Sequence, residues 1–403
     1  MKTRIPLKLL AALTALCLLL SFSAFSAVAD EEPETDVSLA VQKDLTRSLA
    51  SGLAFDGGEF KILVMNDLND GIIPYPAMLK YIESVMADEQ PDLVVLNGDI
   101  TRKGVSTFMA NWAVIPWICD LFGSTPFTLT YGDNDALLPV SKNHYLTNYQ
   151  GYSNCLAYDD EPTDAGVANH NMFIFNDAAA AAAKDIAGVA FNLWFLDTNQ
   201  DGLFRTQSAW YGAKEYDAIY LETDYILPSI MFTHMPLPEI NNVAPGLGNT
   251  VNAGIYAMMK EFGDVKAAVS GHHRSSLFER TYEDLLFIQR PGMTFLSCSD
   301  TNRDTRGASI ITLQLDNEAV PAAPSVPAAA PEVSIKEVRH IPAFATYFDD
   351  GGDMYKFYKA GVNWFFGPLS SFIGLICSPF ADRYQVTFNV NQWFGNTFDW
   401  LLK

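Results

Sequence analysis

Five short polar motifs recur along this chain, each at the end of an apolar run of strand length. The apolar runs are FKILVMN, PDLVVLN, PFTLTY, SIMFT and VKAAVS. The motifs are, in order, Asp67-Leu68-Asn69, Gly98-Asp99, Gly132-Asp133-Asn134-Asp135, His234 and Gly271-His272-His273-Arg274. Asp and Gly after a strand are ordinary turn residues, so a single match of this kind predicts little. Five in order predict functional loops at the carboxyl ends of strands in an α/β fold.

Short apolar runs alternate with helical stretches from residue 59 onward. The order β-α-β-α-β is predicted from the successive segments KILVM, 76–87, DLVVL, 106–122 and FTLTY. Such alternation predicts parallel strands in a layered fold. Residues 136–190 have no strong period, and the alanine-rich tract at 177–185 is compatible with a helix or with a flexible connector. Later strands are predicted in VAFNLWFL, ILPSIMF, VKAAVS, DLLFIQ, MTFLS and ASIITLQL. Their closer spacing favours a second, more antiparallel sheet packed beside the first.

The series of motifs resembles the calcineurin-like metallophosphoesterases, whose pattern is D-x-H, G-D, G-N-H-D/E, a lone H and G-H-x-H. Four further segments are similar to the purple-acid-phosphatase-like branch of that superfamily. They are GVANHNMFIF at 166–175, LWFLDTN at 193–199, TQSAWY at 206–211 and THMPLPE at 233–239. The resemblance covers residues 58–316. It implies an α/β fold with a two-sheet sandwich flanked by helices (α-β-β-α), and metal-dependent hydrolysis of phosphoesters.

The same resemblance implies two metal sites, of which the first is altered in this chain. Its ligands would be Asp67, Asn69, Asp99 and the residue at position 274. Asn69 is a weaker ligand than the family's histidine, and the guanidinium of Arg274 stays protonated and is no ligand. We therefore expect no divalent ion there, with Arg274 pairing with Asp67 and Asp99 instead.

The second site implied by the resemblance keeps a full set of ligands. It would be formed by Asp99, Asp133, His234 and His272, and only Asp133 departs from the family pattern, by replacing an amide with a carboxylate. Two carboxylates and two imidazoles suit zinc or manganese, and iron is a further candidate. His273 is an alternative ligand, although the direct neighbour of His272 should point elsewhere. One divalent ion is expected, and a metal-free site is the alternative.

Asn134 occupies the position of the family histidine that assists the leaving group. An amide can hydrogen-bond a phosphate but donates no proton, and loss of general-acid assistance typically costs about 10²- to 10⁴-fold in rate. Asn134 and Arg274 are the residues expected to act on a substrate. Two functions stay open: a divergent hydrolase of small phosphoesters with one metal, and a catalytically inactive family member acting as a binding or cell-surface interaction protein. Taken alone, each acidic residue could simply cap a turn or helix.

The amino-terminal segment and the charge predict a secreted or extracytoplasmic protein. Residues 1–29 have three basic residues, an apolar run at 9–20 and the small-residue site Ala27-Val28-Ala29, as in a secretory signal, with a membrane anchor as the alternative. Loss of those three basic residues would take the formal net charge from −21 to −24. Such a surface repels nucleic acid and anionic lipid at long range, so no nucleic-acid partner is expected.

The remaining chain is divided by composition. We predict an acidic and polar leader at 30–57, a phosphoesterase-type domain at 58–320, an exposed Pro/Ala linker at 321–333 and an aromatic-rich, apolar C-terminal extension at 334–403. The domain should be stable without the extension. The uncharged stretch at 360–381 could span a membrane, lie on its surface, or pack on the main domain or a protein partner.

The cysteines outside the signal have no C-x-x-C pair, so free thiols and a disulfide both stay open: Cys119, Cys155, Cys298 and Cys377.

Overall fold

The computed structural model describes residues 44–68, 74, 76–101, 114–135, 139–160, 166–199, 202–249, 251–294, 305–319 and 329–343. The strands in these residues are β1 Leu53–Ala54, β2 Glu59–Met65, β3 Leu93–Asn97, β4 Phe127–Thr130, β5 His170–Phe175, β6 Val189–Leu196, β7 Ser229–Thr233, β8 Val265–Ser270, β9 Phe278–Tyr282, β10 Leu285–Gln289, β11 Gly307–Asn317 and β12 Glu332–Pro342.

The first helix precedes β1, and the other helices lie between strands. They are α1 Thr46–Leu49, α2 Pro76–Glu89, α3 Ile115–Cys119, α4 Pro139–Tyr149, α5 Ala178–Ala183, α6 Arg205–Ala213, α7 Leu221–Thr223 and α8 Ile255–Phe262. A π-helical segment, Lys214–Tyr220, joins α6 to α7. A 3₁₀ turn, Pro238–Asn242, follows β7. None of the described helices is long and apolar enough to cross a bilayer.

The first sheet has five strands in the order β12-β11-β2-β3-β4. β2, β3 and β4 are parallel, as the alternation of apolar runs and helical stretches predicts, and α2 connects the first two. β11 returns antiparallel beside β2, and β12 pairs antiparallel with β11. β3 is buried along its whole length, which explains its unbroken apolar sequence.

The second sheet has seven strands in the order β1-β5-β6-β7-β8-β10-β9. β6, β7, β8 and β10 are parallel neighbours, and only the pairs β5/β6 and β9/β10 are antiparallel. The prediction of a more antiparallel second sheet is therefore wrong. The connections from β6 to β7 and from β7 to β8 contain helices, and such long crossovers join parallel strands.

Two sheets and two groups of helices form three buried layers. Alternate residues of β2 face opposite sides: Ile62 and Val64 pack between the sheets, whereas Leu63 and Met65 pack towards the helices. A third cluster, which includes Trp194 of β6, fills the far side of the seven-stranded sheet against α6 and α8. The α/β fold with a two-sheet sandwich flanked by helices is confirmed.

The segment 136–190, read from sequence as an insertion without strong period, contains regular elements. β5 enters the seven-stranded sheet between β1 and β6. The buried His170 at its start bridges the sheets, since Nε2 lies 2.7 Å from Thr128 Oγ1 of β4. The alanine tract forms α5, and the Asp177 side chain caps it by accepting from Ala180 N. Of the two alternatives for the tract, the helix is the one observed.

The division into domains stays a prediction, but described strands lie in both the predicted leader and the predicted linker. β1 lies in the stretch read as a leader, and Leu45, Leu53 and Phe55 there are buried. β12 begins within the stretch read as a linker. Residues 1–43, 320–328 and 344–403 lie outside the described residues. Cys119 and Cys155 are free thiols, and Cys298 and Cys377 also lie outside the described residues.

Candidate metal centre

The carboxyl ends of strands from both sheets meet at one end of the sandwich, and the sequence motifs lie there. Asn97, the last residue of β3, joins the edges: its amide donates to Asn66 Oδ1 after β2 at 2.8 Å and to Thr233 O of β7 at 3.2 Å. The Asp67 amide donates to Gly98 O at 3.1 Å, and Gly271 N donates to His234 O at 2.9 Å. Loops far apart in sequence therefore converge on one point.

Close approach of these loops depends on two glycines. A Cβ on Gly98 would lie 2.5 Å from His234 Cβ, and one on Gly132 would lie 2.4 Å from Asp99 Oδ1. Gly98 also has a φ of 80°, which favours glycine. His272 adopts a φ of 65°, a conformation that costs about 1–3 kcal/mol in a non-glycine residue and is found most often at functional sites.

His234 lies at the centre of the cluster and is fully buried. Its Nδ1–H donates to Asn97 O at 2.9 Å, which fixes the ring and directs Nε2 inward. Nε2 lies 3.4 Å from Asp99 Oδ1 and 3.6 Å from Asp133 Oδ1. It has no hydrogen-bond partner among the described residues.

His272 completes the first of two groups that could hold a metal. Its Nδ1 lies 3.1 Å from Asp133 Oδ1. One ligand atom each of Asp133, His234 and His272 lies within 4.8 Å of the others, and the same holds for Asp67, Asp99 and His234. Five of the residues named from sequence are thus brought together. Asn69, the sixth, lies outside the described residues.

Arg274 lies where the sequence analysis expects it, against Asp67 and Asp99. Its Nε donates to Asp67 Oδ1 at 3.3 Å, and its Nη2 is 3.8 Å from Asp99 Oδ2. Both carboxylates are buried, whereas the Arg274 side chain is 29% exposed. The His272 amide donates to Asp67 Oδ2 at 3.1 Å. A fixed positive charge therefore stands between the two buried carboxylates.

The local environment shifts the pKa values of these carboxyl groups in opposite directions. Burial raises the pKa of Asp67 above its ordinary value, although His234 and Arg274 oppose this effect. Burial also tends to raise the pKa values of Asp99 and Asp133, but the neighbouring His234 outweighs burial, so both pKa values are lowered. The hydrogen bond with His272 further lowers the pKa of Asp133. The carboxylates of Asp99 and Asp133 are thus held ionised beside the imidazoles.

Asn134 turns its amide into the cluster. Nδ2 donates to Asp99 Oδ2 at 2.5 Å and lies 3.3 Å from Asp133 Oδ2, while the backbone N donates to Asp99 Oδ1 at 2.9 Å. His273 points away, with Nε2 donating to Leu247 O at 2.8 Å. It therefore stays outside the two groups.

Sequence reasoning assigned Asp135 no more than a cap, but it organises the loops. The buried carboxylate accepts from the backbone N of Asp99, Thr101 and Gly132, each at 2.8 Å. Burial and the charge of Asp99 raise its pKa to about 7. The sequence signal for this role was the position of Asp135 in the same loop motif, two residues after Asp133.

A family model described as calcineurin-like phosphoesterase matches residues 60–273. The chain belongs to this family. Arg274 is the first residue beyond the match, and the other motif residues lie within it. Membership implies small phosphoester substrates for those members that are active.

Two Arabidopsis thaliana proteins are similar to this phosphoesterase-family chain. "Probable inactive purple acid phosphatase 29" is 24% identical over 272 residues, which cover 53% of this chain and 67% of the relative. "Probable inactive purple acid phosphatase 14" is 23% identical over 270 residues, covering 53% and 65%. The chain thus spans about two thirds of the length of these curated relatives. Both belong to the purple-acid-phosphatase group that the sequence motifs indicate.

Solved structures similar to this chain include a dimetal phosphatase from Danio rerio. It is 11% identical, with a TM-score of 0.44, and the match covers 63% of this chain and 92% of that one. A putative 5'-nucleotidase from Staphylococcus aureus is 13% identical, with a TM-score of 0.45, and the match covers 75% of this chain and 57% of that one.

The residues present fit a divalent ion. His234 Nε2 is buried, unpartnered among the described residues and directed between two carboxylates, as expected of a ligand atom. Its group of carboxylate oxygens and imidazole nitrogens suits zinc or manganese. At the first metal position of the family pattern, Arg274 already contributes a positive charge beside Asp67.

Proposed function

We propose that this protein binds phosphoesters at a centre with one divalent ion, held by Asp99, Asp133, His234 and His272. Arg274 supplies the positive charge that a second ion supplies in dimetal relatives. The observation that carries this proposal is the position of its guanidinium, 3.3 Å from Asp67 Oδ1 and 3.8 Å from Asp99 Oδ2.

The formal charges of the centre support a single ion. Asp67, Asp99 and Asp133 contribute three negative charges when ionised, and Arg274 with one divalent ion contributes three positive charges. Buried charges are strongly disfavoured unless they are paired. A second divalent ion would leave the same residues with a positive excess and would have to displace the guanidinium.

A divalent ion at this centre would polarise a phosphoryl oxygen and lower the pKa of a bound water. The chain's own residues position the rest. The Asn97 carbonyl holds the His234 ring in one tautomer. Arg274 uses one N–H on Asp67, and its remaining donors can bind phosphoryl oxygens, since the side chain is partly exposed.

Asn134 limits the rate of any hydrolysis. Its amide stabilises Asp99 and carries no proton to transfer to a leaving alkoxide. We therefore propose slow hydrolysis, restricted to esters whose alcohol leaves without protonation. The substrate would be a small phosphomonoester or phosphodiester outside the cytoplasm, and the ion zinc, manganese or iron.

A catalytically inactive binding protein is the second candidate. The replacements Asn69, Asn134 and Arg274 favour it, and so do the names of the two Arabidopsis relatives. Its docking on a protein or membrane surface through the C-terminal extension stays a prediction.

Isothermal titration of manganese-loaded protein with inorganic phosphate tests the proposal. Arg274→Gln should weaken phosphate binding by about 10-fold or more, because a hydrogen bond to a charged group contributes about 1.5–3 kcal/mol. Arg47→Gln, which removes the same charge from exposed α1, is the control and should leave the affinity within about 2-fold. Equal affinities of the two variants would refute the role of Arg274.

Turnover of p-nitrophenyl phosphate separates the two candidates. Slow hydrolysis that Asp99→Asn abolishes identifies the hydrolase. Phosphate binding without any such turnover identifies the binding protein.

A further inference from the structure

Two buried asparagines end the first two apolar runs of the sequence, FKILVMN and PDLVVLN. Asn66 directly follows β2, Asn97 is the last residue of β3, and both side chains are buried. Asparagine is depleted in strands, and a buried amide is unfavourable unless its polar atoms are hydrogen-bonded. Their positions, directly before the loops that carry Asp67 and Asp99, point to a role in those loops.

The Asn97 side chain bonds to both sheets at once. Nδ2 donates to Asn66 Oδ1 at 2.8 Å, beside β2 of the five-stranded sheet, and to Thr233 O at 3.2 Å, in β7 of the seven-stranded sheet. An amide nitrogen has two N–H donors and serves both acceptors, whereas a hydroxyl has one donor and a carboxylate has none. The backbone carbonyl of the same residue accepts from His234 Nδ1 at 2.9 Å. Asn97 therefore fixes the position of the His234 ring relative to both sheets.

Asn66 extends this connection to the loop after β8. A Cβ on Gly271 would lie 2.8 Å from Asn66 Oδ1 and 2.9 Å from Asn66 Cβ, so the Gly271 backbone packs directly on the Asn66 side chain. Gly271 N also donates to His234 O at 2.9 Å. The asparagine pair thus contacts or belongs to four segments, and each segment leads within two residues to one candidate ligand: Asp67, Asp99, His234 and His272.

Three of these four ligand residues have a left-handed backbone conformation. The φ angle is 49° for Asp67, 53° for Asp99 and 65° for His272. Residues other than glycine keep such conformations only where the surrounding structure holds them. The bonds and contacts of Asn66 and Asn97 act on the residues directly before these positions, so they help to hold the loops in place.

We propose that Asn97, paired with Asn66, is a positioning residue of the metal centre. Its two side-chain hydrogen bonds set the spacing of the loops and thereby the affinity for the divalent ion. Asn97 acts through the His234 ring and the loop backbones and not as a ligand. The inference rests on the ion binding proposed above.

Titration of the metal-free protein with manganese tests the role of Asn97. Groups that hold a metal ligand in place typically contribute about 10- to 100-fold to metal affinity, so Asn97→Ala should weaken manganese binding by about 10-fold or more. Isothermal titration measures the affinity, and a thermal melt shows that the variant is folded. An affinity within about 2-fold of the parent protein would overturn the proposal.

Thr128→Val is the matched control. Thr128 Oγ1 donates to His170 Nε2 at 2.7 Å, in a second buried hydrogen bond between the two sheets. The substitution removes this donor and leaves the side-chain volume almost unchanged. It should keep the manganese affinity within about 2-fold of the parent protein, because distant sites act independently. A loss as large as that of Asn97→Ala would mean that any weakening of the sandwich lowers the affinity, and the assignment would be wrong.

Asn66→Ala tests the pair from its other side and decides the question if Asn97→Ala does not fold. It removes the acceptor of the same hydrogen bond, so it should also weaken manganese binding. In the double variant the loss should be smaller than the product of the two single losses, because residues in contact are not additive. An unchanged affinity in Asn66→Ala, or losses that multiply in the double variant, would contradict a joint role.

Amide hydrogen exchange of the metal-free protein separates this inference from the proposed function. The amides of Asp67 and Gly271, bonded to Gly98 O and His234 O, should exchange about 10-fold faster or more in Asn97→Ala and at the parent rate in Thr128→Val. If the parent protein binds no manganese but exchange rises in this way, the ion binding fails and the positioning role stands. If the parent protein binds manganese and Asn97→Ala changes neither affinity nor exchange, the positioning role fails alone.

Discussion

Single residues at the centre act by organising backbone as well as by carrying charge. Arg274 and Asn134 replace groups that the family pattern assigns to metal binding and proton transfer, and each now bonds to Asp99 or Asp67. Both replacements place hydrogen-bond donors against carboxylates of the centre. The altered motifs are therefore compatible with an ordered centre.

Asp135→Asn tests the organising role of Asp135. The carboxylate accepts from three backbone amides, whereas an asparagine would turn an NH₂ group towards at least one of these donors. A buried donor left without an acceptor costs about 1–3 kcal/mol, and we expect a loss of that size in urea unfolding. An unfolding free energy within about 0.5 kcal/mol of the parent protein would contradict the role.

The sequence predicted the residues of the centre better than their surroundings. The motif order was informative because strand carboxyl ends share an edge, so Asp67, Asp99 and His234 could be grouped without knowledge of the loops. The contacts of Asn97 with Thr233, and of Asp135 with Thr101, depend on how the sheets pack and how loops return over the edge. No local pattern encodes them.

At the level of helices and strands, the sequence predicted the parallel strands of the first sheet better than the strand order of the second. β2, α2, β3 and β4 were predictable because each strand is a continuous apolar run separated from the next by a helical stretch. The second sheet was predicted less well because its strand order is not sequential: β8 pairs with β10, and β9 lies at the edge. β5 was missed within a region that has no strong period.

The π-helical segment between α6 and α7 contains a buried acid, Glu215. Both carboxylate oxygens lack partners among the described residues. Burial, with the charge of Asp264, raises the pKa of Glu215 well above its ordinary 4.5. The folded protein thus keeps a proton that the unfolded chain loses. Stability from this group is complete below about pH 4.5 and falls as the pH rises towards the folded-state pKa.

Glu215→Gln should therefore gain stability relative to the parent protein as the pH rises, by up to about 1.4 kcal/mol per pH unit. Urea unfolding at pH 5, 6.5 and 8 measures this gain. Glu222→Gln, on the exposed part of α7, is the control and should differ by less than about 0.5 kcal/mol at each pH. A Glu215→Gln difference that does not change with pH would show that Glu215 ionises normally.

At the scale of the whole molecule, β12 changes what truncation should do. The sequence analysis expected a stable domain ending before the Pro/Ala linker. β12, however, pairs with β11 along Glu332–Pro342, and Tyr81 of α2 donates to Ile341 O at 2.5 Å. Removal of β12 would expose the edge of β11, and an exposed edge strand promotes aggregation.

A chain ending at residue 343 should therefore be soluble and melt cooperatively, whereas one ending at residue 319 should aggregate or melt at a lower temperature. Size-exclusion chromatography and thermal melting compare the two products. Equal solubility and melting temperature would mean that β12 adds nothing to the domain and would restore the earlier boundary.

In the proposed centre, one divalent ion and Arg274 together take the place of a pair of ions. The most direct test is the number of ions per chain, measured by inductively coupled plasma mass spectrometry after loading with zinc or manganese and removal of free metal. We expect one ion in the unmodified protein, none in His234→Ala, and a rise towards two when Arg274→His and Asn69→His are combined. Two ions in the unmodified protein, or none, would contradict the account.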